Sequence, residues 1–277
     1  MTTPAPKAFA AIVYDFDGTL ARGNLPEHSF LPGLNCTPEE FWAEVKREAR
    51  KHDADEILVY MQQMLRRARA AECSITADTL KQHGRDVPLF AGLDTWFDRI
   101  SAHAALINLQ LEHYVISSGL REMIEGCAIY GQFENVFASK FVYDELGEAV
   151  WPGLAVNYTN KTQFLFRINK GVDNSWDNEK VNLWQPHSKR RVPFSRMIFI
   201  GDGETDIPSM KMVRHQGGYS IAVFDPKAWA DSEGGAQKKL YRLISEDRAN
   251  FVAPANYTNG SQLDIIIKGI LGRFPLD

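Results

Sequence analysis

The chain has 277 residues, 44% hydrophobic and 24% charged, enough apolar material for one full core and a smaller appended unit. A formal net charge of −4 excludes a global pull towards nucleic acid or an anionic membrane, and the basic runs RRAR (66–69) and KRR (189–191) read as solvated helix and loop charges. Three cysteines without a CxxC pair exclude a disulfide framework or zinc knuckle, no segment nears the roughly 20 apolar residues of a membrane span, and MTTPAPKAF lacks a signal-peptide pattern, so a cytoplasmic protein is expected.

The first apolar run, AAIVYD (10–15), reads as a buried strand ending on Asp15, with Asp17 two residues on and then Gly18 and Thr19. From about 37 to 104 the texture is helical. In TPEEFWAEVKREARK, Thr37 is a natural N-cap, Pro38 suits the first helical position and Glu40 completes a capping box. ADEILVYMQQMLRRARAA carries Ile57, Tyr60, Met61, Met64 and Leu65 at helical spacing. ITADTLKQHG gives a short helix with Gly84 as its expected C-terminal stop, and GLDTWFDRISAHAAL another after a turn at Gly92. Strand texture returns in HYVISSG, followed by a helix through LREMIEG and a strand in NVFASKFVY. DELGEAVWPGL has the turn residues of a small hairpin. NKTQFLFRINKG predicts a helix closed by Gly171, and 171–196, with Trp176, Trp184 and Pro186, an ordered surface loop. MIFIGDGETDIPSMKMV predicts strand, acidic turn and helix, YSIAVF a strand, and TNGSQLDIIIKGIL a final helix capped by Ser261.

Strands alternating with helices predict an open α/β fold on a parallel sheet. Ligands of such sheets collect outside the carboxyl ends of the strands. Four ends here carry reactive groups: the aspartates of VYDFDGT, the hydroxyls of VISSG, a lysine in the helix after the hairpin, and the carboxylates of GDGETD. Singly, each has a bland reading as a turn, cap or surface residue. Together they suit phosphoryl transfer through a carboxylate, with an aspartate to attack phosphorus and a hydroxyl and an ammonium to hold its oxygens. Clustered aspartates without neighbouring histidine or cysteine favour a hard, oxygen-seeking cation, Mg²⁺ before Zn²⁺.

In that order, DFDGT, VISSG, Lys161 and GDGETD resemble the four motifs of the haloacid dehalogenase (HAD) superfamily, in its phosphatase branch, over about residues 10 to 225. The resemblance implies a HAD-like, Rossmann-type parallel sheet with helices on both faces. Residues 1–20 and 106–277 would form the core domain, and 21–105 a helical cap domain inserted after the first strand, as in phosphoserine phosphatase relatives. It implies Asp15 as nucleophile, and Asp17 as the acid that protonates the leaving oxygen and then the base that activates water. Ser117 would bond a phosphoryl oxygen, with Ser118 the alternative, and Gly18, Thr19, Ser118 and Gly119 would shape the phosphate loop. Lys161, with Lys170 as competitor, would balance charge. Mg²⁺ would be held by Asp15, by the Asp17 backbone carbonyl, by Asp202 and by Asp206, the last through water or by holding Lys161.

Asp17 separates the branches of the resembled family. Dehalogenases and phosphonate-cleaving relatives lack an acid there, and transporter ATPases continue as Lys-Thr-Gly-Thr. The expected activity is a Mg²⁺-dependent phosphomonoesterase acting on a small phosphorylated metabolite through an aspartyl phosphate, without nucleic-acid or membrane partners. Gly18 and Asn24 stand where phosphoserine phosphatases have a serine and a substrate-binding glutamate, which argues against phosphoserine. Arg22 could reach a substrate anion, and Trp42, Tyr60 and Met64 could line a pocket, although such a helical stripe is ordinarily core packing. Two other readings stay open: a phospho-accepting regulatory or ligand-binding module with little turnover, and a phosphotransferase to an acceptor other than water.

Overall fold

Strand β1 (Ala8–Tyr14) lies in the middle of a seven-stranded sheet, which is why Ala10 to Tyr14 are apolar at every position and not only at alternate ones. The computed structural model describes residues 8–227 and 241–274; the tail 1–7 and the Glu204 side chain lie outside the described residues. The other strands are β2 (Leu109–Leu120), β3 (Asn135–Tyr143), β4 (Ala149–Leu154), β5 (Met197–Gly201), β6 (Tyr219–Phe224) and β7 (Phe251–Pro254). Their order is β4-β3-β2-β1-β5-β6-β7, parallel throughout except for the β3–β4 hairpin.

Six helices fall between β1 and β2: α1 (Leu25–His28), α2 (Phe30–Gly33), α3 (Pro38–His52), α4 (Glu56–Ala70), α5 (Ala77–Gly84) and α6 (Leu93–Leu106). Further on come α7 (Arg121–Gly126), α8 (Lys161–Lys170), α9 (Asn178–Asn182), α10 (Ile207–His215) and α11 (Gln262–Leu271). Ile12 and Tyr14 face a core shared with α6, α7 and α11, whereas Ala11 and Val13 face a second core built with α8 and α10. Helices therefore cover both faces of the sheet, as the family resemblance implies.

The local signals act as read at several places. Thr37 Oγ1 accepts from the Glu40 N–H at 3.2 Å while the Glu40 carboxylate accepts from the Thr37 N–H. Ser261 caps α11 and Gly171 closes α8 in a left-handed conformation. The segment after Gly171 is held from beneath by α8. Buried Arg167 donates to the carbonyls of Asn174, Ser175 and Asp177, and Lys170 Nζ donates to those of Val181 and Leu183.

Helix α5 stops at Gly84 as expected, though not through a left-handed glycine. This last residue of α5 packs against α7: a Cβ there would lie 1.8 Å from the Met123 carbonyl oxygen, and a Cβ on Gly126 would lie 1.9 Å from that of Lys81. The two glycines let the helices cross with their backbones in contact. Gly84→Ala is expected to destabilise the fold by about 1–3 kcal/mol, the usual cost of overpacking. A lower urea midpoint at unchanged slope would show it. Helix α6, read from sequence as part of the insertion, packs along β2 and α11, and Trp96 Nε1 donates to the Tyr14 hydroxyl in β1 at 2.9 Å. It is a sheet-covering helix.

Candidate active site

The chain leaves β1 for β2 on one side and arrives at β5 on the other, so a crevice opens where the carboxyl ends of these strands diverge. Asp15 directly follows β1. Its N–H donates to the Ile200 carbonyl at 2.9 Å, and its Oδ1 accepts from the Phe16 N–H at 2.8 Å. Asp202 directly follows β5, Lys161 opens α8, and Ser117 to Gly119 occupy an irregular end of β2, where the register with β3 shifts. These residues, with Asp17 and Gly18, line a cleft of about 1050 Å³.

Lys161 is 1% exposed and bridges two carboxylates, with Nζ 2.9 Å from Asp15 Oδ1 and 2.8 Å from Asp206 Oδ1. Burial works against its charge, but Asp15 and Asp206 outweigh that effect and raise its pKa. Burial, reinforced by the Asp206 charge, raises Asp15 well above the usual carboxylate range despite the pull of Lys161. Burial likewise pushes Asp17 up to about 7, although its Oδ1 accepts from the Leu25 N–H at 3.1 Å. Lys170, the competing lysine, is committed to the loop after α8.

Asp15, Asp202 and Asp206 each bring a carboxylate oxygen within 4.8 Å of the others, and the Lys161 ammonium bridges two of the three. Asp206 Oδ2 is buried without a hydrogen-bond partner. An all-oxygen donor set holding a buried orphan oxygen fits a hard divalent cation. The Asp17 carboxylate stands outside this group. Gly18 is required twice over: its φ is +71°, and a Cβ would lie 2.5 Å from Asp202 Oδ2.

The serines divide the work. Ser117 is fully buried and its Oγ accepts from the Gly119 N–H at 3.0 Å, which leaves the hydroxyl proton for a ligand. Ser118 also lines the cleft, with an unpartnered Oγ and a carbonyl that accepts from the Tyr60 hydroxyl at 3.0 Å. Gly119 lets Asp17 approach closely: a Cβ there would come within 2.9 Å of Asp17 Oδ2 and push that carboxylate aside. Thr19 departs from expectation. It is wholly buried off the cleft lining, its Oγ1 makes no hydrogen bond, and the loop is braced instead by the Tyr257 hydroxyl donating to the Thr19 carbonyl at 2.8 Å.

Arg22 pairs with Asp225 and lies 4.5 Å over the Phe90 ring, so its charge is already matched. Met64 is core, but Trp42 and Tyr60 do line the cleft. Sequence reasoning missed Tyr257, which carries no motif and reaches the loop only through the fold.

The sequence profile of the haloacid dehalogenase-like hydrolases matches residues 12–211. An uncharacterized protein of Borreliella burgdorferi is 29% identical over 285 residues, covering 91% of this chain and 93% of its own. Among solved structures, a HAD family hydrolase from Salmonella enterica serovar Typhi is similar with a TM-score of 0.57 at 16% identity, over 96% of this chain and 73% of that one. A phosphoserine phosphatase solved as a phospho-aspartyl intermediate analogue gives 0.51 at 14%, over 95% and 99%. At these identities the structural likeness is one of fold.

Proposed function

The chain belongs to the haloacid dehalogenase-like hydrolases, and from that premise we propose that it is a Mg²⁺-dependent phosphomonoesterase working through an aspartyl phosphate. The observation that carries this reading is the Lys161 bridge between Asp15 and Asp206 beside a buried carboxylate oxygen that no group among the described residues satisfies.

Asp15, its carboxylate oriented by Lys161 and the Phe16 N–H, attacks phosphorus while the bond to the leaving alcohol breaks. Asp17 gives its proton to the departing oxygen. It then takes a proton from the water that cleaves the acyl phosphate, releasing inorganic phosphate and restoring Asp15. The Ser117 and Ser118 hydroxyls and Lys161 hold the phosphoryl oxygens. Asp15, Asp202 and Asp206 would hold Mg²⁺, which when bound neutralises charge on the phosphoryl group. Within the inserted residues 21–105, α3 and α4, which line the cleft, serve as a cap that shelters the reaction from water.

Since burial holds Asp17 near 7, its proton is present below that pH and lost above it. Turnover of alkyl phosphates should therefore fall as pH rises through about 7. Asp17→Asn should lower kcat for such esters by about 10²–10⁴-fold and erase that descending limb. A pH–rate profile of both proteins checks it. The activity itself is tested by hydrolysis of an aryl phosphate with added Mg²⁺ and with a chelator. Full turnover in chelator would overturn the assignment, and a long-lived phosphorylated wild type, seen by intact mass, would favour a phospho-accepting module instead.

A further inference from the structure

We propose that the substrate's alcohol portion carries a flat unsaturated ring and, beyond it, a negatively charged group; this rests on the phosphomonoesterase reading and names the substrate class of that same cleft. Trp42 of α3 and Tyr60 of α4 line the cleft that Asp15 and Ser117 also line. Their ring centroids are 5.7 Å apart with planes inclined at 58°, so the two rings form a corner. The polar atom of each ring is already engaged. Trp42 Nε1 donates to Glu27 Oε1 at 2.7 Å, and the Tyr60 hydroxyl donates to the Ser118 carbonyl at 3.0 Å. Trp42 is half-buried and Tyr60 is 3% exposed, so what they offer a ligand is the open surface of the Trp42 ring with the Tyr60 ring backing it, not hydrogen bonds. The same two bonds hold the rings in place, so binding a flat ring costs little further ordering.

Lys46 follows Trp42 by one turn on α3 and lines the same cleft. Of the lysines and arginines lining it among the described residues, Lys161 is paired with Asp15 and Asp206, and Arg242 with Glu246, whereas Lys46 has no ion pair. Of the acids on the outer lining, Asp225 is neutralised by Arg22, whereas Glu56 only accepts from the Tyr158 hydroxyl at 3.3 Å and keeps its charge. An ammonium without a partner, one turn from an aromatic corner, suits an anionic substituent on the ring that stacks there.

The test uses phosphonates that bind without turnover, measured by calorimetry: benzylphosphonate, its saturated analogue cyclohexylmethylphosphonate, and para-carboxybenzylphosphonate. The wild type should bind the flat ring about 3–10-fold more tightly than the saturated one. Trp42→Leu should abolish that preference and Trp42→Phe should keep it. The carboxylate should add about 2–5-fold, lost in Lys46→Met and reduced at high salt. Equal affinity for the two rings in the wild type, or a preference that survives Trp42→Leu, overturns the ring. A carboxylate gain that survives Lys46→Met overturns the anion. Hydrolysis of the corresponding phosphates separates the two levels. Ring preference without hydrolysis of any ester would remove the phosphatase reading and keep this wall, whereas hydrolysis of all esters at equal kcat/KM, with no ring preference in binding, would do the reverse.

Discussion

Asp15→Asn is expected to reduce phosphate-ester hydrolysis by about 10⁴-fold or more, the scale on which an enzyme loses its nucleophile. The replacement is nearly isosteric, and Lys161 keeps its 2.8 Å contact with Asp206, so the loss would be chemical and not a failure to fold. Stability gives an independent readout. Asp15 has its pKa raised in the folded state, so the protein takes up a proton on folding there, and that contribution is lost as pH rises above the ordinary carboxylate range. The neutral amide escapes this loss. Without Mg²⁺ the variant should therefore melt no lower than the wild type at pH 8, while intact mass shows no phosphorylated species in the variant. Activity retained in Asp15→Asn would overturn the mechanism.

Lys161→Met should have the largest effect on stability. The wild-type ammonium is 1% exposed and lies between Asp15 and Asp206, each within 3 Å; removing it leaves buried carboxylates facing one another. Breaking a buried pair in this way costs about 3–5 kcal/mol. The deficit should be greatest at alkaline pH and shrink as pH falls, because protonating the carboxylates removes the unpaired charge. Added Mg²⁺ should restore stability to the variant more than it adds to the wild type, since it supplies the missing positive charge. Denaturant melts at two pH values, with and without Mg²⁺, measure all three effects. A variant as stable as the wild type without metal would mean that the ion pair is not what holds these carboxylates together.

The parts of this molecule legible from sequence are those whose cause is local. A capping box at Thr37 and Glu40, a glycine after α8 and apolar runs ending in aspartate each specify their own geometry, and the fold follows from their alternation. What escaped depends on partners distant in the chain. A glycine near a helix end reads as a stop, and α5 does stop there, yet Gly84 is selected by the Met123 carbonyl of another helix. Strand β7 is only four residues long and ends in Pro254, tolerable because it lies at the sheet edge, and nothing local marks it. In the site, Asp15, Asp17, Ser117, Lys161 and Asp202 were readable because ordered motifs carry them. Lys161 and Lys170 could be told apart only by where α8 points each of them. Trp42 and Tyr60 were indistinguishable from Met64 because one helical stripe serves both core and cleft.

The crossing of α5 and α7 limits how the cleft can breathe. No side chain separates the two backbones at Gly84 and Gly126, so the helices have no bearing on which to slide, and α7 begins at Arg121, just past the Ser117–Gly119 turn. A door that swung the whole inserted segment outward would tear this seam and drag the phosphate loop with it. The α3–α4 pair is tied instead by side chains, the Tyr60 hydroxyl to the Ser118 carbonyl, Trp42 to Glu27 and Asn157 to Asp55, with α4 also packed on β4. Under the phosphatase reading proposed above, any opening for substrate and product therefore falls to the same two helices that hold the aromatic corner.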